Sequence, residues 1–258
     1  MKKLLLTREH EQNQRLIGLL DPQLRQQLEI AELPLLEIVP LPVTAGMRQL
    51  VQDLDLFDHV IFISPNASRL GMLLLESFWP QWPIALRWYA VGRATAAELA
   101  PYGINVLLPR EERTEGLLQL PSLQSPAGDK VLIVKGVGGR THLAETLQAR
   151  GAQISYLELY ERRGLSYPAE VLMSSPPDLV VVMSGEALQT LIPALQYLRV
   201  HTRTADGKPC LPDLLVPSTR LETMALAAGF DKVFVTEPGA EEIAKCIGDR
   251  ITATGTSP

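Results

Sequence analysis

The segment DHVIFIS at 58–64 runs from an acidic residue through a short apolar stretch into Ser64, Pro65 and Asn66. It returns as DLVVVMS at 178–184, which runs into Gly185. Working outward, WYAVG at 88–92 leads through a helical pattern and Tyr102-Gly103 to an apolar run at 106–108. LLVP at 214–217 leads in the same way through Ala228-Gly229 to a run at 233–235. The opening LLLTR at 4–8 matches LIVKG at 132–136, and LEI at 36–38 finds a counterpart in LEL at 157–159. The offset is about 120 to 128 residues, from Asp58 to Asp178 and from Leu4 to Leu132. One such match is chance, since buried strands look alike. Several in the same order mark an internal duplication.

The repeated pieces set the fold class. Apolar runs at 3–6, 35–39, 60–63, 88–91, 106–108, 131–134, 154–159, 179–183, 214–216 and 233–235 are short, continuous and rich in Val, Ile and Leu, as strands buried on both faces are. Helical periodicity fills the gaps at 11–20, 47–54, 67–76, 94–100, 142–150, 186–195, 220–228 and 240–247. Alternation of this kind builds a parallel sheet with helices on its faces. The expectation is an α/β protein of two similar flavodoxin-like parallel-sheet domains, five strands to a repeat. One domain comprises 1–37 and 161–258, and the other, 38–160, is inserted into it. The strands near 36–38 and 157–159 form a two-stranded crossover hinge, with the active site in the interdomain cleft. Segments 120–129 and 199–213 read as loops, 252–258 as a frayed tail, and the tryptophan-proline stretch at 79–83 as a locally packed loop.

Composition narrows the function. A length of 258 residues suits two ordinary domains, and 46% hydrophobic with 21% charged residues describes a globular chain. The net charge of −5 argues against a nucleic-acid partner. Cys210 and Cys246 lie far apart without a CxxC neighbour, which suggests free thiols in a reducing compartment. The leading three leucines are too few for a signal-peptide core, and no run reaches membrane-spanning length. The expectation is a cytoplasmic protein with no membrane partner.

Familiar catalytic signatures are missing. KGVGGR at 135–140 is a glycine-rich turn after a strand, yet it lacks the Gly-Lys-Ser/Thr ending of a P-loop, and Thr141 stands where a dinucleotide fingerprint needs glycine. His10, His59, His142 and His201 have no metal-ligand spacing, and no Gly-x-Ser-x-Gly elbow appears, so no metal site is expected. What remains is a series of strand-to-helix turns carrying small polar residues: Thr7-Arg8, Ser64-Pro65-Asn66, Gly92 with Thr95, Lys135-Gly136 with Arg140, Ser184-Gly185 and Ser218-Thr219. All such turns lie at the carboxyl ends of parallel strands, where α/β folds bind ligands. Helix starts there offer unpaired N–H groups to anions. Singly, the serines and Asn66 read as helix caps. Two rows of such turns point to a polyanionic ligand held largely by backbone.

The same turns carry a family resemblance. The series LTR at 6–8, ISPNA at 63–67, YAVG at 89–92 with Thr95 and Gly103, Lys135-Gly136 with Gly139-Arg140, Leu147, Gly151, LYE at 159–161 and MSG at 183–185, continuing through Pro217-Ser218 to Ala228-Gly229, resembles the uroporphyrinogen-III synthase family. The resemblance covers nearly the whole chain. It implies a cofactor-free cyclodehydration in which linear hydroxymethylbilane expels its terminal hydroxyl and closes with the last pyrrole ring inverted. The substrate carries an acetate and a propionate on each pyrrole, which suits the anion-binding turns. Within this resemblance Tyr160 is singled out as the catalytic side chain, its phenol donating toward the departing hydroxyl. A tyrosine that merely packs the hinge is the competing reading. The implied partners are the linear tetrapyrrole and, transiently, hydroxymethylbilane synthase, with the chain acting as a monomer. Two alternatives remain: a two-domain anion-binding protein without catalysis, and a nucleotide-dependent transferase, which the incomplete glycine fingerprint disfavours.

Overall fold

A computed structural model describes residues 1–139, 141–168, 171, 176–201, 211–237 and 239–253. The chain divides into two compact units, 1–37 with 163–258 and 38–162.

The first unit holds a parallel sheet of β1 (Lys2–Leu6), β2 (Leu28–Glu32), β9 (Leu179–Val181), β10 (Asp213–Val216) and β11 (Val233–Val235). Across the sheet they stand in the order β11-β10-β9-β1-β2. Counted along the unit's own chain this is 2-1-3-4-5, the flavodoxin-like order. Alternation of side chains explains why these strands are apolar throughout. Leu4 and Leu6 pack toward α1 (His10–Leu19) and the C-terminal helix (Ala240–Ala253), and Leu5 packs toward the opposite layer. That layer contains the helices Gly185–His201 and Thr219–Ala227.

The second unit repeats the plan in permuted order. Its six strands are β3 (Leu36–Pro40), β4 (His59–Phe62), β5 (Arg87–Ala90), β6 (Val106–Leu107), β7 (Lys130–Gly136) and β8 (Gln153–Gly164). They stand in the order β3-β8-β7-β4-β5-β6. Taking β7 as the first strand of the repeat, β8-β7-β4-β5-β6 is again 2-1-3-4-5. Val60 and Phe62 face one layer and Ile61 the other. The Leu41 N–H donates to the Leu159 carbonyl at 2.8 Å, and Leu165 N–H to Leu35 at 2.9 Å. One index rises as the other falls, so β3 runs antiparallel to β8.

Several expectations change. LEIAE at 28–32 is a strand that the apolar runs did not reveal, and by its slot in the sheet it is β2, not 36–38, that corresponds to β8. β2 lies on an edge and buries only alternate side chains, so its exposed Glu29 and Ala31 break the apolar run. The segment 120–129 contains a short helix, Pro121–Gln124, begun by proline at its first turn. The C-terminal helix continues through Ala253, beyond the expected start of a frayed tail, and 254–258 lie outside the described residues. So do 202–210, which include Cys210 and most of the loop expected at 199–213. The tryptophans are tied locally: Trp79 Nε1 donates to the Val51 carbonyl at 2.6 Å, and Trp82 Nε1 to Tyr102 at 3.2 Å.

Among the described residues no helix is long and apolar enough to cross a membrane, and no three His, Cys, Asp or Glu side chains gather as metal ligands.

Candidate active site

The carboxyl edge of the second unit's sheet brings four of the anticipated residues together. Ser64 ends the extended segment after β4, and its Oγ accepts from Ala67 N–H at 3.0 Å, which caps the helix Pro65–Glu76. Pro65 fills the first helical position, where a missing N–H costs nothing. The Ser64 hydroxyl also lies 2.8 Å from the Tyr160 hydroxyl, and either can donate. Tyr160 is 3% exposed, a tyrosine whose polar end is spent on one specific partner.

The local backbone makes room for that ring. Pairing of β7 with β8 shifts register between Lys135 and Gly136, so that Gly136 stands opposite Tyr160. Val137 N–H then donates to the Tyr160 carbonyl at 2.8 Å. The turn continues through Gly138 and Gly139, both in the left-handed region at φ 72° and 84°, where glycine is favoured.

Lys135 is only 7% exposed. Its Nζ sits 3.8 Å from Glu158 Oε1 and 5.1 Å from the centre of the Tyr156 ring, a loose ion pair beneath an aromatic face. Burial, with Glu145 and Glu158 adding to it, raises the Tyr156 phenol pKa. A cavity of about 180 Å³ is lined by Ser64, Thr114, Lys135, Tyr156, Tyr160 and Arg162, together with the glycine turn. A buried ammonium, two hydroxyls and a glycine turn suit a carboxylate-bearing guest.

The other anticipated residues lie elsewhere. Gly92 precedes the short helix Arg93–Ala97, whose start is already covered: Arg93 N–H donates to Glu112 Oε2 at 2.9 Å, and Arg93 Nε lies 3.2 Å from Glu112 Oε1. Thr95 is buried at 2% exposure. Asn66 Oδ1 accepts from Arg69 at 3.1 Å. In the first unit the Thr7 hydroxyl is buried and donates to the Val181 carbonyl at 2.7 Å, while Arg8 beside it is half-buried. Ser184 Oγ accepts from Ala187 N–H at 3.1 Å, and Ser218 Oγ from Leu221 N–H at 3.4 Å, both as helix caps. Gly185 lies against the Arg220 guanidinium, and the Thr219 carbonyl accepts from Thr223 at 2.9 Å. Arg140 lies outside the described residues. Sequence reasoning missed Tyr156, Thr114 and Arg162 as lining residues. Tyr156 lies four residues before Tyr160 on the same strand, but the register shift between them breaks the alternation that would have tied both to one face.

His59 is the buried histidine of the second unit, with Nε2 2.8 Å from Asp129 and Nδ1 3.0 Å from the Tyr89 hydroxyl. It lies on β4 below the cavity and acts in the core.

A family model described as "Uroporphyrinogen-III synthase HemD" matches residues 22–210. A uroporphyrinogen-III synthase of Salmonella typhimurium is 37% identical over 214 residues, covering 79% of this chain and 83% of the relative. The Escherichia coli K12 enzyme is 36% identical over 216 residues, with the same coverage of 79% and 83%. Among solved structures, a mutant uroporphyrinogen III synthase of the extreme thermophile Thermus thermophilus superposes with a TM-score of 0.63 at 14% identity, over 98% of this chain and 100% of that one. The Helicobacter pylori 26695 protein gives 0.61 at 12% identity, over 98% and 100%. At those identities the structures speak for the fold. The breadth of the family match and the identity to the curated relatives go further, and by them the chain belongs to the uroporphyrinogen-III synthase family.

Proposed function

We propose that this chain is a uroporphyrinogen-III synthase, a lyase that closes hydroxymethylbilane into uroporphyrinogen III with loss of water. The observation that carries the mechanism is the convergence of the Ser64–Tyr160 hydroxyl pair and the buried Lys135 ammonium on one cavity.

Loss of the hydroxyl from the pyrrole-bearing carbon is driven by the ring's own electrons and leaves a cationic azafulvene. The protein's tasks are to assist departure and to hold the terminal ring so that its substituted carbon attacks. In this reading the Tyr160 phenol donates to the departing hydroxyl while Ser64 orients it. Attack by that substituted carbon gives a spirocycle; its old bridge bond breaks, the bridge rejoins the terminal ring at the free carbon beside nitrogen, and the proton shed there balances the one donated. Lys135, Gly136, Ser64, Pro65, Asn66, Gly92, Thr95 and Arg140 in the second unit, and Thr7, Arg8, Ser184, Gly185, Ser218 and Thr219 in the first, are proposed to engage substrate carboxylates along the two sheet edges. The two units are proposed to work as separate domains hinged on β3 and β8, opening and closing around the substrate. The protein is proposed to act in the cytoplasm as a monomer, taking substrate from hydroxymethylbilane synthase.

The test supplies hydroxymethylbilane freshly made by its upstream enzyme, with no cofactor added, and separates the oxidised products by isomer. Type III uroporphyrin is the expected product. Only the spontaneous type I isomer, with binding but no turnover, would return the chain to a non-catalytic anion-binding role.

A further inference from the structure

The strand-to-helix turns point to anion binding mainly by backbone N–H groups. The first unit instead contains a side chain whose charge is unspent. Among the described residues the Arg8 guanidinium makes no hydrogen bond and no salt bridge, although it is half-buried. An arginine has five donors and cannot shed its charge to escape burial. Burial lowers its pKa, and Glu9, the next residue, opposes that shift.

The backbone at Arg8 is held on both sides. The Arg8 carbonyl accepts from Asn13 Nδ2 at 2.8 Å, and Asn13 is fully buried on α1. The preceding Thr7 is tied across to β9 through Val181. Asn13 spends its other donor on Glu32 at 3.1 Å, and its own Oδ1 is buried without a donor. The N-cap of α1 receives no side-chain bond either. A corner of the fold that clamps an arginine's backbone, leaves its head unpaired and tolerates an orphaned buried acceptor carries a stability cost without a structural return.

Its position supplies the return. Arg8 follows β1, which lies between β2 and β9, so the connections leave in opposite directions at this point of the sheet. Ligands enter parallel sheets at such switch points. In the second unit the equivalent strand is β7, between β8 and β4, and its next-to-last residue is the buried cation Lys135. Each unit therefore carries a cation near its switch point, Arg8 one residue beyond the place in the repeat that Lys135 holds. We propose that Arg8 is the side-chain anchor for one substrate carboxylate in the first unit, as Lys135 is proposed to be in the second, and is kept for binding at the expense of stability. The inference rests on the synthase reading.

The experiment compares Arg8→Gln and Arg8→Lys with the wild type in steady-state turnover of hydroxymethylbilane, in binding of uroporphyrin III and in thermal unfolding. For Arg8→Gln the expected KM is about tenfold to a hundredfold higher, the range for losing one charge-assisted contact, with a much smaller change in kcat. Its Tm should equal or exceed that of the wild type, and its KM should respond less to added salt. Arg8→Lys should recover part of the affinity. An unchanged KM, or a raised KM with a lowered Tm, would overturn the proposal, the second by showing a structural role. If the wild type makes no type III isomer, the synthase reading fails separately. The Arg8 proposal is then decided by uroporphyrin III binding, where equal affinity of Arg8→Gln and wild type sinks it.

Discussion

Gly136 stands opposite Tyr160 in the β7–β8 pair, and a methyl group built on it would lie 2.6 Å from the Cε2 and Cζ atoms of the tyrosine ring. The phenol can reach Ser64 only because this position carries no side chain. Gly136→Ala must therefore push the ring or the register shift aside. Overpacking of this kind costs about 1–3 kcal/mol. The expected outcome is a lower Tm together with a fall in kcat larger than that of Tyr160→Phe. Wild-type turnover in Gly136→Ala would show that the ring's placement is immaterial.

Tyr160→Phe removes the hydroxyl and keeps the packing. Turnover should drop roughly tenfold to a hundredfold, the span of a modest general-acid contribution. Stability should fall by about 1 kcal/mol, since one neutral hydrogen bond to Ser64 is lost. Rates measured with freshly generated substrate decide the matter, and unchanged turnover would leave Tyr160 with a packing role.

Lys135→Gln should act on binding. The ammonium has a loose 3.8 Å ion pair with Glu158 and the Tyr156 ring face at 5.1 Å to lose, both weak contacts, so the fold should tolerate the change. A substrate carboxylate would lose a charged contact, and KM should rise by about tenfold or more. A KM equal to that of the wild type would remove Lys135 from the substrate's surroundings.

Glu32 gives a prediction about acid stability. Its partial burial pushes the carboxyl pKa up, but donors from Asn13, Gln14 and His10 outweigh this and hold it below the usual carboxylate range. A group whose folded pKa is depressed adds stability above its unfolded pKa and loses it as pH falls through the folded one. Glu32→Gln should therefore lower Tm near neutral pH, and the gap to the wild type should close as the medium is acidified below the carboxylate range. A gap that stays constant with pH would reject this account.

The fold was legible where burial on both faces forced continuous apolar residues, as in LLL at 4–6 and VLIV at 131–134. It was illegible at β2, where an edge strand exposes Glu29 and mimics a loop. The site was legible in part, because Ser64 lies just past β4 and Lys135 near the end of β7, strands that were easy to see. Glu112 could not be anticipated over the Arg93 helix start, since a loop nineteen residues along the chain brings it there. The Gly136–Tyr160 contact depends on a shift in pairing register, which no propensity encodes. Arg8 was found as a type of residue in the right turn. Its lack of partners became visible only once every neighbour had been accounted for.

The permuted order of the second unit has a consequence for synthesis. The chain emerges with β1 and β2 first, and two parallel strands without β9 make no stable sheet. All strands of the second unit, by contrast, are complete once Gly164 has been added, and its end strands β3 and β8 bond to each other. On the ribosome the inserted unit can close while its host still waits for β9, β10 and β11. The cavity bearing Tyr160 is then the older half of the working molecule in every cycle of translation, and the Arg8 corner is finished last.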